Sequence, residues 1–385
     1  MEGKHWRWSS QPRPRDLLRK VREFTRAMVE DLSNERSPEI IIDRFRNYCT
    51  NPDSNCYCSF DSPKWREILT LRRASHVSRL DVLLKVLLIV QQLLQENRHG
   101  SKRDIYYMHP SIFSDQSVVD RAINDICILL QCSRHNLNVV SVGKGLVMGW
   151  LRFSEAGNVF DCINRPNTAF PVPIHVEEVK DIVSVARCIL VVEKESVFQR
   201  LADDQFCNKN HCIVITGRGY PDIPTRRFLG LLVDTLHLPI YCLVDCDPYG
   251  FDILCIYRFG SMVRLSNQSI KLLSTFCKVD QHQMAYDAKF LRVPEVLWLG
   301  AFPSDSEKYS LPQQCLLPLT AEDKRKTEAI LLRCYLQREA PQWRFELKLM
   351  LERGVKFELE ALSVHEINFL SEVYIPSKIQ GGVHI

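Results

Sequence analysis

Three acidic residues stand directly after short apolar segments in the second half of the chain. Glu193 follows "ARCILVV", and Asp245 and Asp247 follow "LPIYCLV". Asp245 and Asp247 are two residues apart, so both side chains can project to the same side where a strand ends. Clustered carboxylates repel one another unless a cation or a shared proton relieves them. Hard oxygen ligands at an open site suit Mg²⁺, so these residues are candidate metal ligands.

Other chemistry could use the same acids. A lone Asp-x-Asp pair is as often a helix cap or a solvated loop pair as a metal site. An aspartyl-phosphate phosphatase usually has Thr or Val four residues after its first Asp, where this chain has Tyr249. A Glu-ended strand followed by Asp-x-Asp at the end of a later strand is more specific, and it favours a metal site.

Two neighbouring tyrosines, Tyr106 and Tyr107 in "SKRDIYYMHPSIF", could supply a nucleophile. Taken alone, such a pair favours ordinary packed aromatics. A tyrosine hydroxyl has a pKa near 10 and needs a base or a nearby positive charge, for which Arg103 is the closest cation in the sequence. Combined with a metal centre and a DNA-binding module, a tyrosine would suggest phosphoryl transfer on a DNA backbone.

The elements that must position the acids are four apolar segments between about residues 170 and 310. They are "ARCILVVEKE", "HCIVITGRG", "LPIYCLVDCD" and "PEVLWLGAF". Short, continuously apolar runs with helical stretches between them predict buried parallel strands of an α/β sheet. Sites in such sheets gather at the carboxyl ends of strands, which here carry Glu193, the glycine segment 217–219, and the two aspartates.

The tyrosines precede a helix–turn–helix pattern. "SDQSVVDRAINDICILLQCS" predicts a helix, "RHNLNVV" a short helix entering a strand, and "VVSVGKGLVMGWLRF" a hairpin with a Gly-Lys-Gly turn. Helices followed by a two-stranded wing are typical of a winged-helix DNA-binding domain. Basic residues in this layout could contact phosphates or could be solvated surface charges; they are Arg121, Arg134, His135, Lys144 and Arg152.

Composition narrows the class of protein. The net charge is only +4, so nucleic-acid binding must come from local patches. The fifteen cysteines are scattered and no signal peptide precedes them, which predicts reduced thiols. No apolar run reaches transmembrane length; "LDVLLKVLLIVQQLL" carries Asp81 and Lys85 and predicts a buried helix. The helix predicted over "RDLLRKVREFTRAMVEDLSNE" either packs on its own chain or docks a partner.

Six motifs together resemble one family. They are "KRDIYY", "SVGKGLVMG", "LVVEKESVFQRL", "TGRGYPDIPTRRFL", "LVDCDPYGFDIL" and "WLGAFPSDSEKY". The chain resembles the meiotic DNA double-strand-break transesterases, eukaryotic relatives of the A subunit of topoisomerase VI, from about residue 15 to its end. The resemblance implies a multi-domain α/β protein, with a winged-helix domain of the catabolite-activator type followed by a Toprim domain with a parallel sheet.

The resemblance also implies the roles of individual residues. Tyr107 matches the catalytic tyrosine, whereas Tyr106 stands where relatives accept Phe. Arg103 matches the arginine that supports the nucleophile. Glu193, Asp245 and Asp247 match the Toprim metal acids, which would bind Mg²⁺; Glu195 is a weaker candidate. Three residues are predicted to face DNA, namely Arg134, Lys144 and Arg218, although the glycines around Arg218 could serve only tight turns.

The implied reaction is attack by Tyr107 on a backbone phosphate of double-stranded DNA, leaving a 5′-phosphotyrosyl bond and a free 3′-hydroxyl without ATP. In this family the tyrosine of one protomer meets the metal acids of the other. The implied partners are a second copy or a paralogous A-type protomer, and a topoisomerase VI B-like subunit that docks near residues 17–32. The implied location is the nucleus, and no membrane is involved.

The chain departs from the family pattern after the Asp-x-Asp helix. About twenty residues, "VRLSNQSIKLLSTFCKVDQH" at 263–282, stand where the family continues almost directly into "QMAYDAK". The insert is either a tolerated excursion, since loop closure cost grows slowly with length, or a segment that disables the metal domain. The chain is accordingly an active transesterase or, alternatively, a non-cleaving splice isoform that binds DNA or partners. A Toprim nuclease or primase fits less well because of Tyr107.

These interpretations predict three regions. Residues 1–60 form a partner-docking helix and a linker, and residues 61–165 form a winged-helix DNA-binding domain that carries the tyrosine. Residues 166–385 form a Toprim metal-binding domain with C-terminal helices and the insert.

Overall fold

The computed structural model describes residues 12–45, 49, 58, 63, 65–264, 282–284, 286 and 288–385. The chain forms two compact units. Unit 1 lies within Met1–Asn47, Cys58–Ser141 and Ser261–Phe290, and unit 2 lies within Tyr48–Tyr57, Val142–Gly260 and Leu291–Ile385. The boundary between the units at 141/142 precedes the domain boundary expected from the sequence at 165/166.

Unit 1 consists mainly of helices around one apolar core. Its elements before residue 141 are helices α1 (Pro14–Ser33), α2 (Ala74–Glu96), α3 (Lys102–Met108), α4 (Pro110–Phe113) and α5 (Gln116–Leu130), and strands β1 (Glu39–Arg44), β2 (Trp65–Thr70), β3 (Gly100–Ser101) and β4 (Val139–Val140). Strands β1 and β2 pair antiparallel. The helices predicted from apolar spacing are confirmed. Helix α1 buries Leu17 and Val21 in the core of its own unit.

Four charged side chains connect β1, β2, α2 and α5 through ion pairs. Asp125 is 1% exposed, and its two carboxylate oxygens accept hydrogen bonds from Arg44 at 2.5 Å and from Arg79 at 2.5 Å. Glu67 bridges the same two arginines. Burial alone would raise the pKa of Glu67, but the two guanidinium groups hold it at about 2. The network is closed, because each carboxylate contacts both arginines.

Replacing Asp125 with Ala removes the buried carboxylate and leaves the two arginines with Glu67, which is only partly buried. We expect Asp125→Ala to lower the free energy of unfolding by about 3–5 kcal/mol, as for other broken buried ion pairs. Urea unfolding monitored by circular dichroism measures the change. Asp81→Ala is the control, because Asp81 is exposed on α2 and its loss is expected to cost less than about 0.5 kcal/mol. Equal losses in the two variants would contradict the role of the network.

Unit 2 contains the predicted sheet and its covering helices. Its elements before residue 260 are strands β5 (Leu146–Gly149), β6 (Leu151–Glu155), β7 (Asn158–Asp161), β8 (Phe170–Pro171), β9 (Val179–Ser184), β10 (Cys188–Val192), β11 (Cys212–Thr216) and β12 (Ile240–Leu243), and helices α6 (Glu195–Asp203), α7 (Phe206–Asn210), α8 (Ile223–Leu236) and α9 (Pro248–Phe259). Strands β6, β7 and β9 form a separate three-stranded sheet.

The chain then contributes a segment to unit 1. Strands β13 (Met262–Arg264) and β14 (His282–Met284) pair antiparallel and are followed by helix α10 (Ala288–Leu291). The insert expected at 263–282 begins in β13 and ends in β14: Val263 is the register partner of Gln283, and Arg264 is the register partner of His282. Residues 265–281 lie outside the described residues. Beyond the insert, Tyr286 is buried in the core of unit 1 and its N–H donates to Asn124 Oδ1 at 3.0 Å.

The remainder of the chain completes unit 2. Its elements are strands β15 (Val296–Gly300), β16 (Leu317–Pro318) and β17 (Val355–Lys356), helices α11 (Asp305–Lys308), α12 (Ala321–Leu331), α13 (Cys334–Arg338), α14 (Pro341–Arg353) and α15 (Ile375–Gln380), and a π-helical turn at Leu370–Tyr374. The main sheet has the order β15-β12-β10-β11-β5-β8. Its first four strands are parallel, which confirms the four apolar segments as buried parallel strands.

The hairpin predicted across Gly143–Gly145 is wrong. Strand β4 pairs with β3, whereas β5 pairs antiparallel with β11 and with β8. Gly145 is needed for close packing and not for a hairpin turn, because a Cβ atom there would lie 2.1 Å from Thr225 Oγ1 on α8. This segment therefore does not form the predicted wing, and the winged-helix assignment of the first domain stays a prediction.

Two expectations from composition can be compared with the structure. The thirteen cysteines whose placement is described form no disulfide bonds with one another, in agreement with the predicted reduced thiols. Among the described residues, none of the helices combines the length and apolar character needed to cross a membrane.

Candidate active site

The predicted acids lie together at the carboxyl ends of two neighbouring strands. Strands β10 and β12 are adjacent and parallel, with Val192 opposite Leu243, so Glu193 and Asp245 leave the sheet at the same edge. The backbone N–H of Asp245 donates to Glu193 Oε2 at 2.9 Å. The apolar residues of the two strands are fully buried, which fixes the register that brings the two acids together.

Asp247 begins the helix that follows. It is the N-cap of α9, and its Oδ1 accepts hydrogen bonds from the N–H groups of Tyr249 at 2.8 Å and Gly250 at 2.6 Å. Such a cap satisfies backbone donors that the first turn of a helix leaves free. The helix N-terminus also favours negative charge. Asp247 therefore has a structural role beside its predicted chemical one.

Burial raises the pKa of two of these acids, Glu193 and Asp245. Burial, and then the nearby charges of Asp245 and Asp247, raise the pKa of Glu193 to about 8. Burial also raises the pKa of Asp245 to about 6, although Lys194 and the N–H of Leu359 oppose the shift. Both environments therefore disfavour the ionised carboxylates, and a nearby cation would favour them. The side chains of these acids offer carboxylate oxygens, which are the kind of ligand that a hard divalent cation such as Mg²⁺ prefers.

The tyrosine pair lies on α3 in unit 1. A capping box starts this helix: Ser101 Oγ accepts from the N–H of Asp104, and Asp104 accepts from the N–H of Ser101. Tyr106 is partly buried against the core, whereas Tyr107 is 71% exposed. Arg103 is also exposed and precedes Tyr107 by four residues, so both side chains lie on one face of the helix.

Comparisons with known proteins match both units of the chain. The Toprim-domain family of Spo11 and the topoisomerase 6 A subunits matches residues 188–279 and 268–379, and the family "Type IIB DNA topoisomerase" matches residues 78–139. "Meiotic recombination protein SPO11-1" of Arabidopsis thaliana is 67% identical over 368 residues, covering 96% of each chain. The human "Meiotic recombination protein SPO11" is 34% identical over 382 residues, covering 95% of this chain and 88% of its own length.

The chain belongs to the family of Spo11 and the topoisomerase VI A subunits. The resemblance stated from the motifs is thereby confirmed. The A subunit of DNA topoisomerase 6 from Arabidopsis thaliana is also 37% identical over 306 residues, which cover 80% of this chain and 67% of that protein. The Toprim match starts at the first residue of β10 and includes all three acids of the cluster.

The GRGYPD loop of this Spo11-family chain is anchored to the same edge of the sheet. The N–H of Gly219 donates to the carbonyl oxygen of Glu193 at 2.8 Å, and Lys144 Nζ donates to the carbonyl oxygen of Arg218 at 2.9 Å. Arg218 has a positive φ of 52° and its guanidinium pairs with Glu195 at 2.7 Å. Lys144 therefore lies in unit 2 beside this loop, and Glu195 forms an ion pair with Arg218.

The third basic residue predicted to face DNA belongs to unit 1. Arg134 is half-buried just before a short 3-10 helix, and its guanidinium donates to Ser141 Oγ at 3.1 Å. The three predicted DNA contacts therefore divide between the units.

Sequence reasoning missed several residues of the acidic site. Lys194 Nζ lies 2.9 Å from Asp245 Oδ2, and the N–H of Leu359 donates to Asp245 Oδ1 at 2.9 Å. Lys194 could have been identified from the sequence, because it directly follows Glu193. The segment around Leu359 could not, because it lies 114 residues beyond Asp245 and contains no motif.

Gly250 allows the first turn of α9 to approach the acids. A Cβ atom at this position would lie 2.6 Å from the carbonyl oxygen of Asp245 and 2.8 Å from Glu193 Oε2. We expect Gly250→Ala to lower the free energy of unfolding by about 1–3 kcal/mol through overpacking, as measured by urea unfolding. Gly230→Ala on α8 is the matched control, because a Cβ there meets nothing within 4 Å. A loss in Gly230→Ala as large as that in Gly250→Ala would refute the close-approach explanation.

Proposed function

We propose that this chain cleaves double-stranded DNA with Tyr107 as the nucleophile and with Glu193, Asp245 and Asp247 as the ligands of a divalent cation, Mg²⁺. The chain is a topoisomerase-like transesterase of meiotic recombination that makes DNA double-strand breaks, as its family membership supports. The observation that carries the residue-level proposal is the acidic cluster at the ends of β10 and β12. Burial raises the pKa of Glu193 and Asp245 there, and a bound cation would favour their ionised forms.

The cleavage step conserves the phosphodiester energy. Tyr107 Oη attacks the phosphorus atom, a new P–Oη bond forms, and the bond from phosphorus to the 3′-oxygen breaks. The proton leaves Oη, and the departing 3′-oxygen ends as a hydroxyl group. The product is a 5′-phosphotyrosyl link, and no ATP is consumed by this chain. Because the bond count is unchanged, the reverse reaction can reseal the strand.

The side chains around Tyr107 favour this step by charge. Arg103 lies on the same helix face, and its guanidinium stabilises both a developing phenolate and the phosphate under attack. Glu193, Asp245 and Asp247 would hold a divalent cation, which would supply stabilisation of the negative charge that grows on the phosphate oxygens. Lys144, Arg134 and Arg218 contact phosphates along the duplex and set its position rather than its sequence.

The complete enzyme is an assembly. The tyrosine of one protomer works with the acids of a second, which is another copy or a paralogous A-type protomer, so two protomers cut both strands. Helix α1 exposes Val29 (59%) and Leu32 (52%) towards its C-terminal end, and this surface suits docking of a topoisomerase VI B-like subunit. The first domain binds DNA as a winged helix, and the protein acts in the nucleus on chromosomal DNA.

A covalent-attachment assay tests the metal dependence and the alternative of a non-cleaving isoform. The full chain is combined with its B-like partner and end-labelled duplex DNA, with Mg²⁺ or with excess EDTA, and DNA that stays protein-linked after denaturation is measured. We expect adducts with Mg²⁺ and background signal with EDTA. Equal adducts in both would refute the cation site.

The same assay includes a version that lacks residues 263–282. Adducts from the natural chain would establish that the insert is tolerated, as the paired ends of β13 and β14 suggest. Adducts seen only after the deletion would establish the non-cleaving isoform instead.

A further inference from the structure

Lys194 occupies the centre of a second acidic group beside the proposed cation site. Its Nζ lies 2.9 Å from Asp245 Oδ2, 3.0 Å from Glu358 Oε2 and 3.0 Å from Glu360 Oε2. An ammonium group has three N–H donors, and here three carboxylates accept from it. Lys194 thus contacts all three carboxylates, and it joins Asp245 to the C-terminal part of the chain.

The segment that carries these glutamates is fixed to the site by other contacts as well. Cys246 and Phe357 exchange two backbone hydrogen bonds, of 3.0 and 3.2 Å. The N–H of Leu359 donates to Asp245 Oδ1 at 2.9 Å, and Ser196 Oγ donates to Glu360 Oε1 at 2.8 Å. The orientation of Asp245 thus has a backbone anchor that does not depend on Lys194.

We propose that Lys194 is the internal counter-ion of the acidic site and that it lowers the affinity of that site for a divalent cation. The inference rests on the proposed function, because it assumes that Asp245 is a metal ligand. A cation bound through Asp245 Oδ2 would share or displace the contact between Lys194 and that oxygen. Lys194 is a positioning residue and not a catalytic one, because it acts through Asp245.

Two effects of Lys194 oppose each other. It helps to orient Asp245, which favours cation binding, and its positive charge repels a cation a few ångströms away, which disfavours binding. Charge is the larger effect here, because the N–H of Leu359 still holds Asp245 after Lys194 is removed. Loss of Lys194 also leaves Glu358 and Glu360 without their shared cation, so the site becomes more negative.

Calorimetric titration of the full chain with MgCl₂ and with MnCl₂, without DNA, measures this effect independently of cleavage. We expect Lys194→Gln to bind the cation at least about fivefold more tightly than the natural chain, since a nearby like charge is removed. We also expect a lower melting temperature without cation. Lys194→Arg should resemble the natural chain. Lys209→Gln is the matched control, because it removes a lysine of unit 2 that pairs with Glu372 at 2.9 Å instead.

The outcomes separate this inference from the proposed function. Unchanged or weaker cation affinity in Lys194→Gln, with normal binding by the natural chain, would overturn the inference alone. Absence of saturable binding by the natural chain, or binding that Glu193→Gln leaves intact, would overturn the cation site and the inference with it. If Lys194→Gln does not fold, the cation affinity of the double variant Glu358→Gln, Glu360→Gln is measured instead. This variant should bind the cation more weakly, because the charge of Lys194 is then less neutralised. An unchanged cation affinity would overturn the inference.

Discussion

Replacing Tyr107 with Phe is expected to reduce covalent protein–DNA adducts to background while leaving the fold intact. The change removes one hydroxyl oxygen from a side chain that is 71% exposed, so little packing is lost. Without Oη, residue 107 cannot form a P–O bond to DNA. The loss of adducts is therefore expected even if the variant keeps the natural geometry of the site. Gel analysis of denatured, end-labelled DNA measures the adduct, and circular dichroism confirms that the variant is folded.

Tyr106→Phe is the matched control for this variant. Tyr106 is next in sequence, its ring contacts that of Tyr107 at 5.1 Å between centroids, and it packs partly on the core of unit 1. Its ring is retained in the Phe variant, so we expect adducts close to the natural level. Adducts that persist in Tyr107→Phe but vanish in Tyr106→Phe would exchange the two assignments.

Replacing Asp247 with Asn is expected to lower adduct formation by at least about 100-fold, equivalent to about 2.7 kcal/mol of transition-state stabilisation. The variant separates the two roles of this residue. Asn is as good an N-cap as Asp, so the hydrogen bonds to Tyr249 and Gly250 can be kept. We expect the free energy of unfolding to change by less than about 1 kcal/mol, because a lost charge–dipole attraction is offset by relief of repulsion among the acids.

The experiment measures adduct yield and urea unfolding on the same preparations. Asp115→Asn is the control, because Asp115 caps α5 in the same way, by accepting from the N–H of Ser117, but lies in unit 1. We expect neither adduct yield nor stability to fall in this control. An adduct yield in Asp247→Asn equal to that of the natural chain would show that Asp247 is not a metal ligand. A large decrease in the free energy of unfolding would mean that loss of the helix cap explains any decrease in adduct yield.

The same two variants test whether the site is shared between protomers. Mixed dimers of Tyr107→Phe and Asp247→Asn contain one complete site if the tyrosine works with the acids of the other protomer. Mixing should then restore single-strand nicks. If the tyrosine works with the acids of its own protomer, both sites of a mixed dimer are defective and no nicks should appear.

The sheet and the positions of its acids could be predicted because each strand, and the acid that follows it, is recognisable within one short segment of sequence. The apolar runs that end at Glu193 and Asp245 are buried on both faces, and parallel strands place their carboxyl ends at one edge. The hairpin at Gly143–Gly145 failed because partner choice is long-range. Strand β5 pairs with β11, more than sixty residues away, and a Gly-rich segment does not reveal whether its glycines turn the chain or allow close packing.

The environment of Asp245 also depends on contacts that no local pattern encodes. Glu358 and Glu360 approach Lys194 from a segment 164 and 166 residues away, and the N–H of Leu359 reaches Asp245 from the same segment. Acidic residues there look like ordinary surface charges in the sequence. The exposure of Tyr107 could not be predicted from the sequence either. The direction of its side chain depends on which face of the seven-residue helix is buried, and in the structure that face carries Ile105.

Identification of the residue that carries the DNA tests the central claim most directly. The full chain is allowed to react with its B-like partner, duplex DNA and Mg²⁺; the DNA is then digested to a nucleotide stub, and the protein is analysed by peptide mass spectrometry. We expect a stub linked through its 5′-phosphate to Tyr107, in the peptide that contains "DIYYMHP". A stub on any other residue, or a linkage through a 3′-phosphate, would contradict the proposed cleavage chemistry.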